Sequence, residues 1–159
     1  MTLTSADERF KAQAQALGFD WHADIKIGGN YTPVMSHGHE VYVSGQIPRM
    51  GDQVMAIGCV GHDISLSQAQ WAAQICVMRA LALLRKQLGS LTHIQKILRI
   101  TVYVRSAPDF TQHSEVADGA SDVLFHILGE SVGQHTRTSV GVAQLPKGAT
   151  VELDLIAAI

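Results

Sequence analysis

One segment near the middle of the chain restricts the fold more than any other. Between Ile97 and Val104, apolar residues alternate strictly with polar ones, and the apolar positions are Leu98, Ile100, Val102 and Val104. This alternation is typical of a β-strand that has one face against a hydrophobic core. Helical patterns precede and follow the segment, so the chain must enter and leave this strand through helices. A sheet that carries its helices on one face satisfies both connections.

Three helices are predicted from their end signals and their apolar periodicity. They run from Ser5 to Gly18, from Ser65 to Gly89 and from Ser106 to Gly129. The first two open on the capping boxes S-x-x-E and S-x-x-Q, and the third opens on S-x-x-D with a proline in its first turn. Apolar residues recur at helical spacing along the second and third helices. The residues predicted to line their buried faces are Ala69, Ala73, Cys76, Ala80, Leu83, Leu84, Phe110, Ala117, Ala120, Leu124 and Ile127.

The remaining strands are predicted as two hairpins and one weaker strand. Tyr31–Met35 and Glu40–Ser44 flank the turn His37-Gly38-His39, and a weaker strand covers Gln53–Val60. At the end of the chain, Arg137–Gln144 and Ala149–Ile156 are separated by Leu-Pro-Lys-Gly, which suits a type I turn. We therefore expect the last two strands to pair with each other.

Together these elements predict a single α+β domain over residues 1–159. It has two layers, with two long helices on one face of a mixed sheet and a helical extension over residues 1–20. No segment remains to cover the other face of the sheet. Hydrophobic residues make up 47% of the chain and charged residues 16%, whereas roughly 25% is usual for charged residues. Both observations predict self-association.

Composition also excludes several classes of protein. The formal net charge is −2, without a long run of either sign, so the chain lacks the basic surface that binding to nucleic acid requires. No apolar stretch is long enough to span a membrane, and the N-terminus lacks a signal-peptide pattern. Two cysteines, Cys59 and Cys76, form no disulfide framework. A cytoplasmic protein with reduced thiols is expected.

Neither a metal nor an organic cofactor is expected. His37 and His39 have ligand spacing, but they lie in a turn with no third ligand nearby in sequence, so a surface turn is the preferred interpretation. No phosphate-binding glycine loop is present. Catalysis, if there is any, must come from ordinary side chains.

The last predicted hairpin places polar groups together. With a loop at Leu145–Gly148, Arg137 and Ser139 would share a face with Glu152 and Asp154. The pairing alone favours an ordinary solvated sheet face with surface ion pairs over a site.

Two motifs point to a family. Val43-Ser44-Gly45-Gln46-Ile47-Pro48, with Tyr31 upstream, resembles the V-S-G-Q-I-P signature of the RidA/YjgF family. The segment from Arg137 to Glu152 resembles its closing pattern, R-x-x-V-x-V-x-x-L-P-x-x-x-x-V-E. The resemblance implies a chorismate-mutase-like fold and a homotrimer with an active site at each subunit interface. It also implies hydrolytic deamination of 2-iminopropanoate and 2-iminobutanoate.

The resemblance also implies a role for each matching residue. Arg137 would hold the substrate carboxylate through a bidentate pair, and the amide of Gly45 would approach the same group. Glu152 would position the attacking water, and Tyr31 would close the pocket from a loop. Ser139 would contribute a pocket hydroxyl. Its lack of an adjacent base in the sequence disfavours a nucleophilic role.

Three positions depart from the family pattern. Ser139 stands where the family often has cysteine, Asp118 where it has asparagine, and His135 where it has proline. Asp118 would repel an anionic substrate unless it is paired or protonated. The sequence thus predicts an enzyme that deaminates small reactive 2-imino or enamine acids. A non-catalytic trimeric module that binds a small carboxylate, such as a 2-oxo acid, is the alternative.

Overall fold

A five-stranded mixed sheet and three helices make up the protein. The computed structural model describes residues 4–159. The helices are α1 (Ala6–Leu17), α2 (Leu66–Leu88) and α3 (His113–Gly133). The strands are β1 (Val34–His37), β2 (Glu40–Gln46), β3 (Arg49–Met50), β4 (Gln53–Val54), β5 (Lys96–Arg105), β6 (Thr136–Val142) and β7 (Val151–Ala158). The main sheet has the order β1-β2-β7-β5-β6, and β3 pairs with β4 in a separate ribbon. The predicted α+β class is confirmed.

The first two helices begin and end as the sequence predicts. Ser5 accepts a hydrogen bond from the amide of Glu8, whose carboxylate accepts one from the amide of Ser5, and Ser65 and Gln68 repeat this box at the start of α2. Left-handed glycines follow both helices, which leaves fewer backbone carbonyls without partners. Across residues 4–159, none of the helices is long and apolar enough to cross a lipid bilayer.

The long helices α2 and α3 pack against each other and against the sheet. A Cβ on Gly119 of α3 would lie 3.0 Å from Cα of Gln70 of α2, so only glycine permits this close approach. Ile100, Val102 and Val104 of β5 are completely buried beneath the helices. The predicted buried residues of α2 and α3 are confirmed, except that Phe110 lies before α3 and is partly buried.

Two predicted boundaries in α3 need correction. The helix begins at His113 rather than at Ser106, because Ser106 and Ala107 pair with the backbone of Val60 and remain extended. At the other end, Gly129 has φ 79° and ψ 166° and interrupts the helix as predicted, but one further turn follows it. Backbone pairing with a distant segment therefore overrides the local S-x-x-D signal.

Two predictions about strands are also wrong in part. Only Gln53 and Val54 of the segment predicted as Gln53–Val60 form a strand, and the rest follows an irregular path with single backbone bonds to its neighbours. In β5, a bulge between Ile97 and Arg99 shifts the alternation. Ile97 is therefore buried, and Leu98, which was predicted to be buried, is 36% exposed.

The predicted terminal hairpin is wrong. Strand β5 lies between β6 and β7, pairing parallel with β6 and antiparallel with β7. The segment after β6 crosses the end of β5, where the amide of Arg105 donates to the carbonyl of Thr150 over 2.9 Å. Lys147 and Gly148 have positive φ angles of 59° and 71°. With this backbone conformation the chain crosses the end of the sheet and does not form a hairpin turn.

This topology changes which polar residues share a face. Arg137 and Ser139 pair with Ile100 and Val102, so they point toward the helices. Glu152 pairs with Tyr103 and points to the face without helices, which we call the open face. The predicted common face for Arg137 and Glu152 is therefore wrong.

Candidate functional site

A β-bulge in strand β2 shapes the candidate site. Val43 pairs with Leu155 and Gln46 with Leu153, so the two residues Ser44 and Gly45 stand opposite the single residue Asp154. The bulge therefore removes Gly45 from regular pairing at the point where β2 passes Glu152. The predicted signature V-S-G-Q-I-P contains this bulge.

Glu152 fills the space beside Gly45. A Cβ on residue 45 would lie 2.9 Å from the carboxyl carbon of Glu152 and still closer to one of its oxygens. Glycine therefore allows the Glu152 carboxylate to occupy this position, and any larger residue would displace it. The φ angle does not require glycine, since Gly45 is not among the residues with positive φ.

A small cavity brings together three of the predicted site residues. Tyr31, Gly45 and Glu152 all line a cavity of about 210 Å³. Its other walls come from the loop before β1, from β3 and from α2. The space suits a small metabolite.

The environment of Glu152 favours its protonated form. Burial raises the pKa of this carboxyl above its ordinary value, and the neighbouring negative charge of Asp154 raises it further. Among residues 4–159 no cation forms an ion pair with Glu152. A half-buried carboxylate with a raised pKa can accept a proton from bound water more readily than an exposed one.

A buried arginine that the sequence analysis did not identify also lines this cavity. Arg79 of α2 is only 5% exposed, and its guanidinium donates to the side chain of Gln46 and to the backbone carbonyls of Arg49 and Lys26. A signal was available in the sequence. Arg79 lies three residues after Cys76 and four before Leu83, both on the predicted buried stripe.

The other three predicted residues form a second cluster. Nη1 of Arg137 donates to Oδ1 of Asp118 over 2.8 Å and to Ser121 over 2.9 Å, while Nη2 contacts the hydroxyl and the carbonyl of Ser114. Ser139 follows two residues later on the same face of β6. Asp118 is thus paired, and the guanidinium of Arg137 is held against α3.

His135 supports this second cluster. Its Nε2 lies 2.9 Å from the hydroxyl of Ser121, which also accepts from Arg137, and its Nδ1 lies 2.6 Å from the carbonyl of Gly133. The imidazole thereby links the end of α3 to β6 at a position where the family pattern has proline. Histidine in place of the proline thus forms hydrogen bonds with Ser121 and Gly133 that proline could not form.

The structure therefore divides the predicted site into two parts. Tyr31, Gly45 and Glu152 meet at the cavity, whereas Arg137, Ser139 and Asp118 lie with the edge strand β6 and helix α3. Strands β7 and β6 are separated by β5, so their backbones lie roughly 10 Å apart. The two parts also belong to opposite faces of the sheet.

No metal centre is evident in the part of the chain that the structure describes. Within residues 4–159, no three histidine, cysteine, aspartate or glutamate side chains are grouped so as to hold an ion. His37 lies at the end of β1 and His39 in the tight turn before β2. These residues fit the surface turn that was preferred from the sequence.

The fold and the two sequence motifs define a class: an α+β chain with a chorismate-mutase-like arrangement and a small cavity beside a strand bulge. The family model described as "YjgF/chorismate mutase-like, putative endoribonuclease" matches residues 12–158. The protein belongs to the YjgF (RidA) family, as its motifs predict.

Individual relatives match along nearly their whole length. Protein TCP17 of Trypanosoma cruzi is 36% identical over 151 residues, which cover 95% of this chain and 94% of that protein. The crystal structure of Atu1372 from Agrobacterium tumefaciens, a protein of unknown function, is 34% identical with a TM-score of 0.86, covering 97% of this chain and 94% of Atu1372. A structure from Shewanella oneidensis, described as a "putative endoribonuclease", is 27% identical with a TM-score of 0.86 and covers 94% and 99% of the two chains. The two structures thus share the fold over nearly the whole of this chain.

Proposed function

We propose that the protein hydrolyses small 2-imino acids, and their enamine tautomers, to 2-oxo acids and ammonia at clefts between the subunits of a homotrimer. One observation carries the proposal: the Glu152 carboxylate faces a cavity of metabolite size without a cationic partner. Such a group is suited to act as a general base. The resemblance of the two motifs to the RidA/YjgF family implies the same chemistry.

The reaction requires few protein groups because an imine carbon is already electrophilic. Glu152 accepts a proton from water as its oxygen forms a bond to C2, and the electron pair of the C=N bond moves to nitrogen. This proton then passes to nitrogen, which gives an amino alcohol at C2. A second proton moves from the C2 hydroxyl to nitrogen, the C–N bond breaks as the C=O bond forms, and ammonia leaves with the 2-oxo acid as the other product. Positioning of the water and one proton relay supply the catalysis. The amide of Gly45 and the ring of Tyr31 would enclose the substrate.

A second subunit would complete the site. Arg137 does not line the Glu152 cavity within its own chain, because strand β5 separates the two strands and hydrogen bonds to α3 hold its guanidinium away from the cavity. The open face carries exposed apolar side chains at Met35, Tyr42 and Val140, which are 57%, 42% and 39% exposed. Burial of these side chains favours association through this face. A neighbouring subunit could then bring Arg137 and Ser139 to the cavity.

The ion pair between Arg137 and Asp118 favours the alternative function, a trimeric module that binds a small carboxylate without turnover. The negative charge of Asp118 offsets the positive charge of the Arg137 guanidinium, so Arg137 binds an anionic substrate more weakly. A binding module tolerates such weakening better than an enzyme that must orient its substrate closely. Both functions use the same cavity.

Cleavage of RNA, which the description of the Shewanella relative suggests, has less support. A net charge of −2 gives the chain little attraction for a phosphate backbone. The cavity of about 210 Å³ also suits a small molecule better than a nucleotide chain. An assay with single-stranded RNA would test this function directly.

The deciding experiment is steady-state hydrolysis of freshly generated 2-iminopropanoate, with the remaining imine trapped by semicarbazide. Glu152→Gln keeps the shape of the side chain and should lower kcat by roughly 10²–10⁴-fold. Asp154→Asn is the matched control, since it removes a carboxylate from the same face of β7. Calorimetry with pyruvate should show binding to both variants. Binding of pyruvate by wild-type protein that shows no turnover would establish the binding module instead.

A further inference from the structure

The cavity beside Glu152 has positive charge in its opposite wall. Arg79 and Arg49 both line it together with Glu152, and Arg79 is 95% buried, being 5% exposed. Arg79 has no ion pair to a carboxylate within residues 4–159. A buried charge without a counter-ion is costly, so its presence at a cavity indicates a functional requirement.

Neutral acceptors hold Arg79 in place. Its Nε donates to Oε1 of Gln46 over 3.2 Å, Nη1 to the carbonyl of Arg49 over 3.0 Å, and Nη2 to the carbonyl of Lys26 over 3.4 Å. A guanidinium has five N–H groups, so two remain for another acceptor. These bonds fix the plane of the group but leave its charge uncompensated.

Arg49 adds a second donor without a partner. Across residues 4–159, its Nε is the one buried side-chain polar atom that lacks a hydrogen bond. Burial, and to a smaller extent the positive charge of Arg49, lower the pKa of Arg79 below its usual value. An anion beside the two guanidinium groups would screen the repulsion between them, and both residues line the cavity that would hold it.

We propose that Arg79 and Arg49 form a second carboxylate subsite, so that the preferred substrate is a short 2-imino acid whose side chain also ends in a carboxylate. The subsite supplies two guanidinium groups, which match carboxylate oxygens in geometry and charge. This inference rests on the proposed function for the reaction at Glu152. It differs from the predicted role of Arg137, which concerns the carboxylate next to the reacting carbon.

The dimensions of the cavity agree with this assignment. Glu152 and the arginine pair line the same space of about 210 Å³, so one small molecule can contact both walls. Its imine carbon would lie at Glu152 and its side-chain carboxylate at Arg79, while the other carboxylate would point outward to the neighbouring subunit. A monocarboxylic substrate would leave the buried arginine charge uncompensated.

The test compares two ligands that differ only in the terminal group of the side chain. Binding of 2-oxoglutarate and of 2-oxopentanoate to the full-length protein is measured by calorimetry. We expect the dicarboxylate to bind at least tenfold more tightly to wild-type protein. Arg49→Gln should reduce this ratio severalfold. It leaves the backbone carbonyl that anchors Arg79 intact. Arg79→Lys should keep part of the preference, and Arg79→Gln should abolish it.

Controls separate the subsite from general electrostatics and from the deaminase proposal. Lys11→Gln removes an exposed positive charge from α1 and should leave the ratio unchanged. Should Arg79→Gln fail to fold, Arg49→Gln decides the question. Equal affinities for the two ligands in wild-type protein, no binding of either, or an unchanged ratio in Arg49→Gln would overturn the subsite. A preference for the dicarboxylate without imine turnover would support the subsite and contradict only the deaminase function. Imine turnover without that preference would support the deaminase function and contradict the subsite.

Discussion

Arg137 and Glu152 point to opposite faces of one sheet, with strand β5 between the strands that carry them. A single small substrate therefore cannot contact both side chains of the same chain. If both residues act in the reaction, each site must combine Glu152 of one subunit with Arg137 of another. The assembly is then part of the site.

Subunit mixing tests this arrangement. Glu152→Gln and Arg137→Lys should each be nearly inactive as homotrimers. After the two are dissociated, mixed in equal amounts and reassociated, about a quarter of the sites should combine an intact Glu152 with an intact Arg137 if subunits exchange at random. Activity should therefore recover to about a quarter of that of the wild-type protein. Light scattering should report a species near three times 17.2 kDa before dissociation and again after reassociation. A site contained within one chain would give no recovery.

The second prediction concerns the opposed roles of Arg137 and Asp118. Arg137→Lys keeps the charge but loses the planar fork, so carboxylate binding should weaken by an amount on the order of 1.5–3 kcal/mol. Asp118→Asn should act in the opposite direction, because it removes the anion that lies 2.8 Å from the guanidinium. Calorimetric titration with pyruvate measures both effects. Equal affinity in wild-type protein and both variants would show that Arg137 does not bind the ligand.

The third prediction concerns pH. Glu152 must be ionised to accept a proton, and burial followed by the charge of Asp154 raises its pKa. The value of kcat/KM should therefore fall with decreasing pH through a pKa above the ordinary glutamate value of about 4.3. Asp154→Asn should move this acidic limb to lower pH, since it removes one cause of the shift. If the acidic limb of the kcat/KM profile stays at the same pH in Asp154→Asn, the group that titrates is not Glu152.

The same shift predicts how stability depends on pH. The folded protein binds the Glu152 proton more tightly than the unfolded chain does, so this group stabilises the fold fully below its unfolded pKa. That contribution is lost as the pH rises through the raised folded pKa. Glu152→Gln should therefore have a higher Tm than wild-type protein at neutral pH and a similar Tm near pH 4. Thermal denaturation followed by circular dichroism provides the comparison.

The fifth prediction concerns Gly45. Gly45→Ala introduces a Cβ that would lie 2.9 Å from the carboxyl carbon of Glu152, so the carboxylate must move. The fold should survive, because the side chain of Glu152 can rotate away, but kcat should fall by roughly 10-fold or more as the base is misplaced. Gly28→Ala is the comparison variant, since Gly28 lines the same cavity but nothing lies within 4 Å of its added methyl group. Equal loss in both variants would contradict the close-approach argument.

Local patterns were sufficient to predict the presence of three helices, the bounds of the first two, and the family, but not the bounds of α3. The capping boxes at Ser5 and Ser65 depend on side chains three residues apart, and the buried faces of α2 and α3 follow from helical spacing. The motif around Gly45 is contiguous in sequence, so its resemblance to the family pattern could be recognised directly. Such features depend on neighbours along the chain and need no knowledge of the fold.

Tertiary structure alone determined the partners of the strands and hence the site. Arg137–Gln144 and Ala149–Ile156 have the pattern of a hairpin, yet β5 pairs with both, because the crossover through α3 places β6 at the edge of the sheet. Strand pairing joins residues that are far apart in sequence. A strand with a different partner or register can direct the same side chains to the other face of the sheet. For the same reason the buried Arg79 could be placed on a helical stripe from the sequence, while its position beside Glu152 required the packing of α2 against the bulge in β2.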